Sequence, residues 1–197
     1  YDKATELLAV CGDPLLKRRN TCVVQELLFK IIGGKWNKEE YVLGYKPKRK
    51  EEYDILLNTE VGEKWPIKAW PKENWDKIEE LLIKNDFKVT RQDKQNPEIL
   101  TNLYSYMDWI NSSKLIISTD SLGMHLGMAF KKRVFGLFGP TPDKEIYFYG
   151  RGKSITPEKK FECLPCCKGK CDNSEFCMDQ ITPEMVFNEI INFLKIN

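Results

Sequence analysis

The 197-residue sequence lacks an apolar run near the ~20 residues that a membrane-spanning helix needs. No basic stretch followed by an apolar one opens the chain in the manner of a signal peptide. Histidine occurs once, and charge of one sign does not dominate, since 31 Lys and Arg face 29 Asp and Glu. These scarcities argue against a membrane-spanning helix and exclude a disordered acidic or basic tail. What is present, 42% hydrophobic and 30% charged residues, is typical of a soluble globular protein.

The small net charge of +2 is unevenly distributed. Residues 1–50 carry a net charge of +5 and residues 51–197 a net charge of −3. The basic clusters Lys17-Arg18-Arg19 and Lys46 to Lys50 indicate either attraction to an anionic partner or solvated faces and a linker. No basic stripe interleaved with aromatics continues along the chain, so the sequence predicts no nucleic-acid partner.

Hydrophobic periodicity predicts a helical first part and an alternating second part. A helix is expected from Asn20 to Ile32, capped by Asn20 and ended by Gly33-Gly34, and a linker from Lys46 to Glu52. From Tyr53 onward strands and helices alternate. The predicted strands are 53–58, 87–90, 114–118 and 134–138, and the predicted helices are 74–84, 98–110, 121–130 and 183–194. This pattern predicts an α/β fold with a Rossmann-like, doubly wound parallel sheet over residues 53–197, after a helical extension and linker at 1–52.

Ligands of such sheets bind beyond the carboxyl ends of the strands, where helix N-termini face the crevice. The sharpest candidate is Thr119-Asp120-Ser121, where an apolar strand runs directly into a helix. Ser121 is placed to cap that helix, whose first N–H groups and positive dipole end suit a diphosphate. Asp120 suits sugar hydroxyls, and His125 suits a phosphate oxygen; a satisfied core histidine is the alternative.

Two further strand ends carry candidates of the same kind. Lys68 lies in a loop stiffened by Trp-Pro pairs after the first strand and is placed to neutralise phosphate charge; a solvated loop lysine is the alternative. Thr141 follows the strand that ends at Phe138, in the turn Gly139-Pro140-Thr141-Pro142, and offers a hydroxyl and a backbone N–H to an anion.

Taken in order along the chain, these segments resemble glycosyltransferase family 9, the lipopolysaccharide heptosyltransferases. The resemblance rests on Lys68-Ala69-Trp70-Pro71, Thr119-Asp120-Ser121 with His125, and Leu137 to Thr141. It also includes the Cys-Leu-Pro-Cys run at 163–166 and the helix that opens at Ile181-Thr182-Pro183-Glu184. It covers roughly residues 54–197 and implies the C-terminal, nucleotide-sugar-binding half of a GT-B enzyme.

The resemblance implies a role for each matching residue. Lys68 corresponds to the lysine at the donor phosphate and sugar, Asp120 to the aspartate that holds heptose hydroxyls, and Ser121 with His125 to the groups around the diphosphate. Thr141 lies in the Gly-Pro-Thr turn of the family. Gln92 stands near the strand end where the family often has a glutamate facing adenosine. One departure is visible: the glycine that follows Asp-Ser in the family comes one place later here, as Leu122-Gly123.

The function that the resemblance implies is inverting transfer of a sugar, with heptose from ADP-heptose the expected donor, to a lipopolysaccharide-type acceptor. Its catalytic base is expected in an N-terminal half outside these 197 residues, which makes this chain an incomplete, inactive half and that half a partner. A cytoplasmic location, with contact at the inner membrane surface, is implied. The alternatives are another nucleotide sugar, a protein acceptor, or a non-catalytic metal-stapled interaction module.

Five of the seven cysteines fall within residues 163–177. The expected ligands of a structural zinc or iron ion are the four with knuckle-like spacing, with Cys167 the spare: Cys163, Cys166, Cys171 and Cys177. Reduced packing thiols, or one to two disulfides, are the alternatives. Four protein ligands leave no open position, so no water-activating role is implied.

Overall fold

The computed structural model describes residues 13–95, 100 and 102–196. Cys11, the first twelve positions of the predicted 1–52 extension, and the start of the helix predicted from residue 98 lie outside the described residues.

A five-stranded, fully parallel sheet forms the centre of the molecule. Its strands are β1 (Tyr53–Asn58), β2 (Val89–Arg91), β3 (Ser113–Thr119), β4 (Arg133–Leu137) and β5 (Gly152–Ile155). Their order is β2-β1-β3-β4-β5, so the chain first adds β2 on one side of β1 and then builds outward on the other side. The predicted doubly wound α/β fold is therefore confirmed, and its topological switch point lies between β1 and β3.

Helices cover both faces of the sheet because successive strand residues point to opposite sides. On one face, Ile55, Leu57 and Ile117 pack in a core with α3 (Lys72–Lys84) and α6 (Pro183–Ile196). On the other face, Leu56 and Ile116 pack with α4 (Leu103–Asn111) and α5 (Leu122–Ala129). The central strands are buried on both faces, which explains their continuous apolar runs.

The described residues before β1 contain two short helices, whereas the specific prediction there was one helix from Asn20 to Ile32. These are α1 (Pro14–Arg19) and α2 (Val24–Ile31). The prediction of Asn20 as a helix N-cap is wrong: Asn20 ends α1, and its Oδ1 accepts a hydrogen bond from the Cys22 amide at 2.9 Å. This local turn competes with helix formation, so α2 starts only after Val23. Gly33, with φ of 76°, ends α2 as predicted.

The segment before β1, which includes the predicted linker from Lys46 to Glu52, packs against the sheet domain. The Tyr45 hydroxyl and the Lys48 amide both donate to Oδ1 of Asp108 in α4, at 2.9 and 2.7 Å. Arg151 forms a bidentate pair with Glu40 at 2.7 and 2.8 Å. These contacts fix the segment that leads into β1. No helix among the described residues has the length and apolar character to cross a bilayer.

Candidate functional site

The loop after β1 and the end of β3 bring Lys68 and Asp120 together at the switch point. Lys68 closes a single 3-10 turn (Pro66–Lys68), whose position is set by two buried neighbours, Ile67 and Trp70. The Trp70 indole N–H donates to the Ile181 carbonyl at 2.8 Å, so the predicted ordered Trp-Pro loop is observed. Lys68 Nζ lies 2.6 Å from Asp120 Oδ2 and 3.3 Å from the Asp120 carbonyl oxygen. Both side chains remain about one-sixth exposed (16% and 17%), so a ligand can reach them.

His125 lies on the first turn of α5 beside this pair. Its Nε2 is 3.8 Å from Asp120 Oδ1, and its side chain is 40% exposed. Burial lowers the pKa of His125 below its usual value; Lys68 acts in the same direction, and Asp120 opposes both. The imidazole is therefore neutral at pH 7, a donor or acceptor of hydrogen bonds rather than a fixed cation.

Ser121 occupies the N-cap position of α5, as predicted, but does not cap the helix with its side chain. Its hydroxyl instead accepts from Asn58 Nδ2 at 2.8 Å and lies 3.1 Å from the Ser118 hydroxyl. The first N–H groups of α5 therefore keep their capacity to donate to an anion, and the Asn58 amide joins β1 to the start of the helix.

Close packing explains the displaced glycine. A Cβ on Gly123 would lie 2.5 Å from the Tyr106 hydroxyl and 2.6 Å from Asn58 Cγ, so this position has no room for a side chain. The Tyr106 hydroxyl donates to Asn58 Oδ1 at 2.5 Å, which ties α4 to β1 at the same point. Leu122, by contrast, is 55% exposed. The leucine thus points outward, and the glycine stands where α5 approaches its neighbours most closely.

The predicted site residues are distributed between two neighbouring cavities. Lys68, Asp120, His125 and Thr141 line one of about 390 Å³, which we call the charged cavity. Ser121 and Gln92 line another of about 280 Å³, together with Glu60, Tyr106 and Leu122. We call it the outer cavity. Because Asp120 and Ser121 are adjacent in sequence, the two cavities flank the amino end of α5.

Gln92 is 8% exposed and holds the outer cavity in shape. Its Oε1 accepts from the Glu60 amide at 3.0 Å, and its Nε2 lies 3.3 Å from Glu60 Oε2. Glu60 itself was missed by sequence reasoning, although it follows β1 by two residues and the strand-end rule selects that loop. Tyr106 was also missed, because an aromatic residue on a predicted helix gives no sequence signal that it lines a cavity.

Thr141 lines the charged cavity with a buried hydroxyl that has no hydrogen-bond partner in the part of the chain that the structure describes. Burying an unpaired hydroxyl is unfavourable, so such a group in a cavity wall is suited to a ligand atom. Lys17 lines the same cavity, 3.3 Å from Glu145. It belongs to the basic cluster noted in the sequence, which gave no indication of where the cluster would fold.

The five cysteines of residues 163–177 line two different cavities. The four expected ligands line one small cavity of about 30 Å³: Cys163, Cys166, Cys171 and Cys177. Cys167, the expected spare, lines the charged cavity instead. Burial, reinforced by the neighbouring thiols, raises the pKa of Cys177 to about 12. All five are free thiols, and no three His, Cys, Asp or Glu side chains in the described part of the chain are arranged to hold a metal ion. The four-thiolate site is thus not formed in this structure and stays a prediction.

The chain is similar to known glycosyltransferases in sequence and in fold. A family model, glycosyltransferase family 9 (heptosyltransferase), matches residues 98–176, which include Asp120, Ser121, His125 and Thr141. The resemblance to family 9 is confirmed. Lipooligosaccharide heptosyltransferase 2 of Campylobacter jejuni is 29% identical over 82 residues, which are 41% of this chain and 26% of that protein.

Two solved glycosyltransferase structures share the fold. E. coli heptosyltransferase WaaC, solved with ADP-2-deoxy-2-fluoro heptose, matches 85% of this chain with a TM-score of 0.58 and 18% identity. The iron-containing dodecameric glycosyltransferase TibC from enterotoxigenic E. coli matches 84% with a TM-score of 0.57 and 12% identity. This chain covers 54% and 51% of those two structures, so it spans about half the length of these two enzymes.

Proposed function

We propose that this chain is the donor-binding part of a glycosyltransferase that transfers a heptose from ADP-heptose to a lipopolysaccharide-type acceptor. The observation that carries the proposal is the grouping of Lys68, Asp120 and His125 beside the uncapped amino end of α5. A cation and a helix N-terminus suit a diphosphate, and a carboxylate next to them suits sugar hydroxyls. WaaC, solved with an ADP-heptose analogue, has the same fold, which supports this choice of donor.

In the proposed complex the two cavities divide the donor between them. The diphosphate lies at the amino end of α5, the sugar lies in the charged cavity against Asp120, and the nucleoside lies in the outer cavity by Glu60 and Gln92. The unpaired Thr141 hydroxyl donates to the sugar or to a phosphate oxygen. The diphosphate, the sugar and the nucleoside then each face side chains of suitable chemistry. The exposed Leu122 side chain contacts the nucleoside in the outer cavity.

The proposed reaction is an inverting displacement. The acceptor hydroxyl oxygen bonds to the anomeric carbon as the bond from that carbon to the diphosphate oxygen breaks, and ADP leaves. The acceptor proton passes to a base that we place in an N-terminal half and not among these residues. Lys68 and the α5 amino end stabilise the negative charge that develops on the departing diphosphate.

Ligand titration tests this function directly. Calorimetry should show that the chain binds ADP and binds free adenosine much more weakly, with UDP and GDP as controls for the base. Preference for UDP or GDP would point to another nucleotide sugar. No response to any nucleoside diphosphate at millimolar concentration would refute the donor site and favour the non-catalytic interaction module.

We further propose that Cys163, Cys166, Cys171 and Cys177 bind one structural zinc or iron ion. The support is that these four thiols, and not Cys167, surround a single cavity, and that TibC, which shares the fold, is an iron-containing protein. Four thiolates can bind either zinc or iron. The ion would supply a cross-link within the 163–177 loop, and no step of the reaction involves it.

A further inference from the structure

Asn58, the last residue of β1, is fully buried at 0% exposure and bonds to three elements around the proposed donor site. Its Nδ2 donates to the Ser118 hydroxyl at 2.9 Å and to the Ser121 hydroxyl at 2.8 Å. Its Oδ1 accepts from the Tyr106 hydroxyl at 2.5 Å. Both amide hydrogens are therefore used within the protein, and a residue this buried does not itself contact a ligand.

The bond from Asn58 to Ser118 follows from the sheet, whereas the bond to Ser121 does not. Asn58 and Ser118 are directly opposite in the register of β1 and β3. Ser121 lies beyond the end of β3, at the N-cap position of α5. The second Nδ2 hydrogen therefore reaches out of the sheet and engages the residue at which α5 begins.

The hydroxyl protons of this cluster have one consistent arrangement. The Ser118 hydroxyl donates to the Thr119 carbonyl oxygen at 2.7 Å, so the proton between the Ser118 and Ser121 oxygens, 3.1 Å apart, comes from Ser121. Burial raises the pKa of Tyr106, so its hydroxyl stays protonated and donates to Asn58. Ser121 thus accepts from Asn58 and donates to Ser118, and both bonds hold its hydroxyl against the ends of β1 and β3.

This hold on Ser121 leaves the amino end of α5 open. A serine at an N-cap ordinarily accepts from the amide of the second or third helical residue, which here are Gly123 and Met124. Ser121 makes no such bond, although its type and its position suit one. Because its oxygen is engaged by Asn58 instead, the two amides remain available to an anion.

We infer that Asn58 is a positioning residue for the donor: it holds the Ser121 hydroxyl away from α5 so that the first amides of this helix can bind the diphosphate. That Asn58 prevents the cap rests on the contacts above. That the open helix end serves a diphosphate rests on the proposed function. Without the Asn58 amide, Ser121 is free to turn and cap α5, and a diphosphate would have to displace it.

The test is a double-mutant cycle of Asn58→Leu and Ser121→Ala, with ADP binding measured by calorimetry. Asn58→Leu keeps the approximate size of the side chain but does not hold Ser121, so ADP should bind about fivefold more weakly or worse, because a cap must be displaced. Adding Ser121→Ala removes the hydroxyl that would cap α5. The double variant should therefore bind ADP more tightly than Asn58→Leu and as tightly as Ser121→Ala alone.

Amide hydrogen exchange in the absence of ligand gives an independent measurement. In Asn58→Leu the amide of Gly123 or Met124 should exchange more slowly than in the wild type, because the Ser121 hydroxyl now accepts from it. Adding Ser121→Ala should remove this protection. A loss of packing at Asn58 would instead accelerate exchange, and Ser121→Ala would not reverse it.

Thr90→Val is the matched control. Thr90 is 4% exposed, lies on the neighbouring strand β2, and accepts from Trp109 Nε1 at 3.0 Å and from Gln95 Nε2 at 2.9 Å. Its loss also leaves buried donors without their acceptor, so this variant should lower Tm while ADP affinity and exchange in α5 stay unchanged. If Asn58→Leu does not fold, Asn58→Ala repeats the cycle without adding bulk beside Gly123.

The inference is overturned if the Asn58 variant binds ADP as tightly as the wild type, or if Thr90→Val weakens binding equally. It is also overturned if the double variant is as weak as the Asn58 variant. If the wild type does not bind ADP, the proposed function fails and the role in donor binding fails with it. Slower exchange in the Asn58 variant, reversed by Ser121→Ala, would then establish only that Asn58 keeps α5 uncapped.

Discussion

Lys68 and Asp120 are 52 residues apart in the chain, and their Nζ and Oδ2 atoms are 2.6 Å apart in the fold. The reason is the strand order, because β1 and β3 are neighbours and each residue follows one of them at the same edge of the sheet. The Asp120 carboxylate holds the Lys68 ammonium at the wall of the charged cavity, which both residues line. A bound diphosphate would share or take over this cation, which gives the two side chains opposite roles in ADP binding.

Removing the cation should weaken ADP binding. We expect Lys68→Met to cost about 1.5–3 kcal/mol, as for a hydrogen bond to a charged group, or roughly tenfold to a hundredfold in Kd. Lys64→Met, an exposed lysine of the same loop, is the matched control and should leave Kd unchanged. Similar losses in both variants would mean that Lys68 acts only through general charge.

Removing the Asp120 carboxylate should affect the binding of ADP and the binding of an ADP-sugar differently. Asp120→Asn frees the Lys68 ammonium, so ADP should bind as well as before or slightly better. An ADP-sugar should bind more weakly, by about 1–3 kcal/mol, because Asp120 is assigned to hydroxyls. Calorimetry with both ligands checks this. Equal weakening for the two ligands would show that the carboxylate only shapes the loop.

Protonation of His125 should be coupled to ADP binding. In the free protein burial lowers its pKa, so the imidazole is neutral at pH 7, whereas a bound diphosphate raises the pKa. Between the two pKa values, binding must take up protons. Titrations near pH 6.5 in two buffers of different ionisation enthalpy should reveal this uptake, and His125→Asn should abolish it. Undiminished uptake in the variant would place the proton elsewhere.

Strong periodicity made most of the sheet and its helices predictable. β1 has the predicted bounds, and the helix predicted from Asn74 differs from α3 by two residues at its start. Both were predictable because the spacing of their apolar residues is compatible with only one type of secondary structure. β5 was missed because Gly-Lys-Ser-Ile has a single buried apolar side chain. Its pairing depends on tertiary contact: a Cβ at Gly152 would lie 1.8 Å from the Val134 carbonyl oxygen of β4.

The residues of the candidate site were predictable where they lie in the segment that follows a predicted strand. Asp120, Ser121 and Lys68 follow strands and meet at the switch point, as parallel topology requires. The contribution of Tyr106 depends on how α4 packs on β1, and the separation of Cys167 from the other four thiols depends on loop geometry. Neither is encoded in a local pattern.

The close packing at Gly123 makes its loss costly. Gly123→Ala should destabilise the fold by about 1–3 kcal/mol, because the methyl group meets Tyr106 and Asn58 at distances that no side chain tolerates. Gly44→Ala is the control, since a Cβ there has no neighbour within 4 Å among the described residues. Thermal unfolding of the two variants should differ clearly in Tm. Equal values would show that α5 can shift to make room.

The metal content of the protein and the stability of its cysteine variants should both indicate one bound ion. Elemental analysis of protein prepared without added metal should find close to one zinc or iron per chain. Cys163→Ser and Cys171→Ser should lower stability by about 3 kcal/mol or more, because ion binding is coupled to folding of the 163–177 loop. Cys167→Ser removes a thiol of the same loop that lines a different cavity, so it should keep the metal and most of the stability. Chelation should reduce wild type and Cys167→Ser to the stability of the ligand variants. Five thiols that all react freely in the native, metal-free protein would refute the site and leave the four cysteines as packing groups around a small cavity.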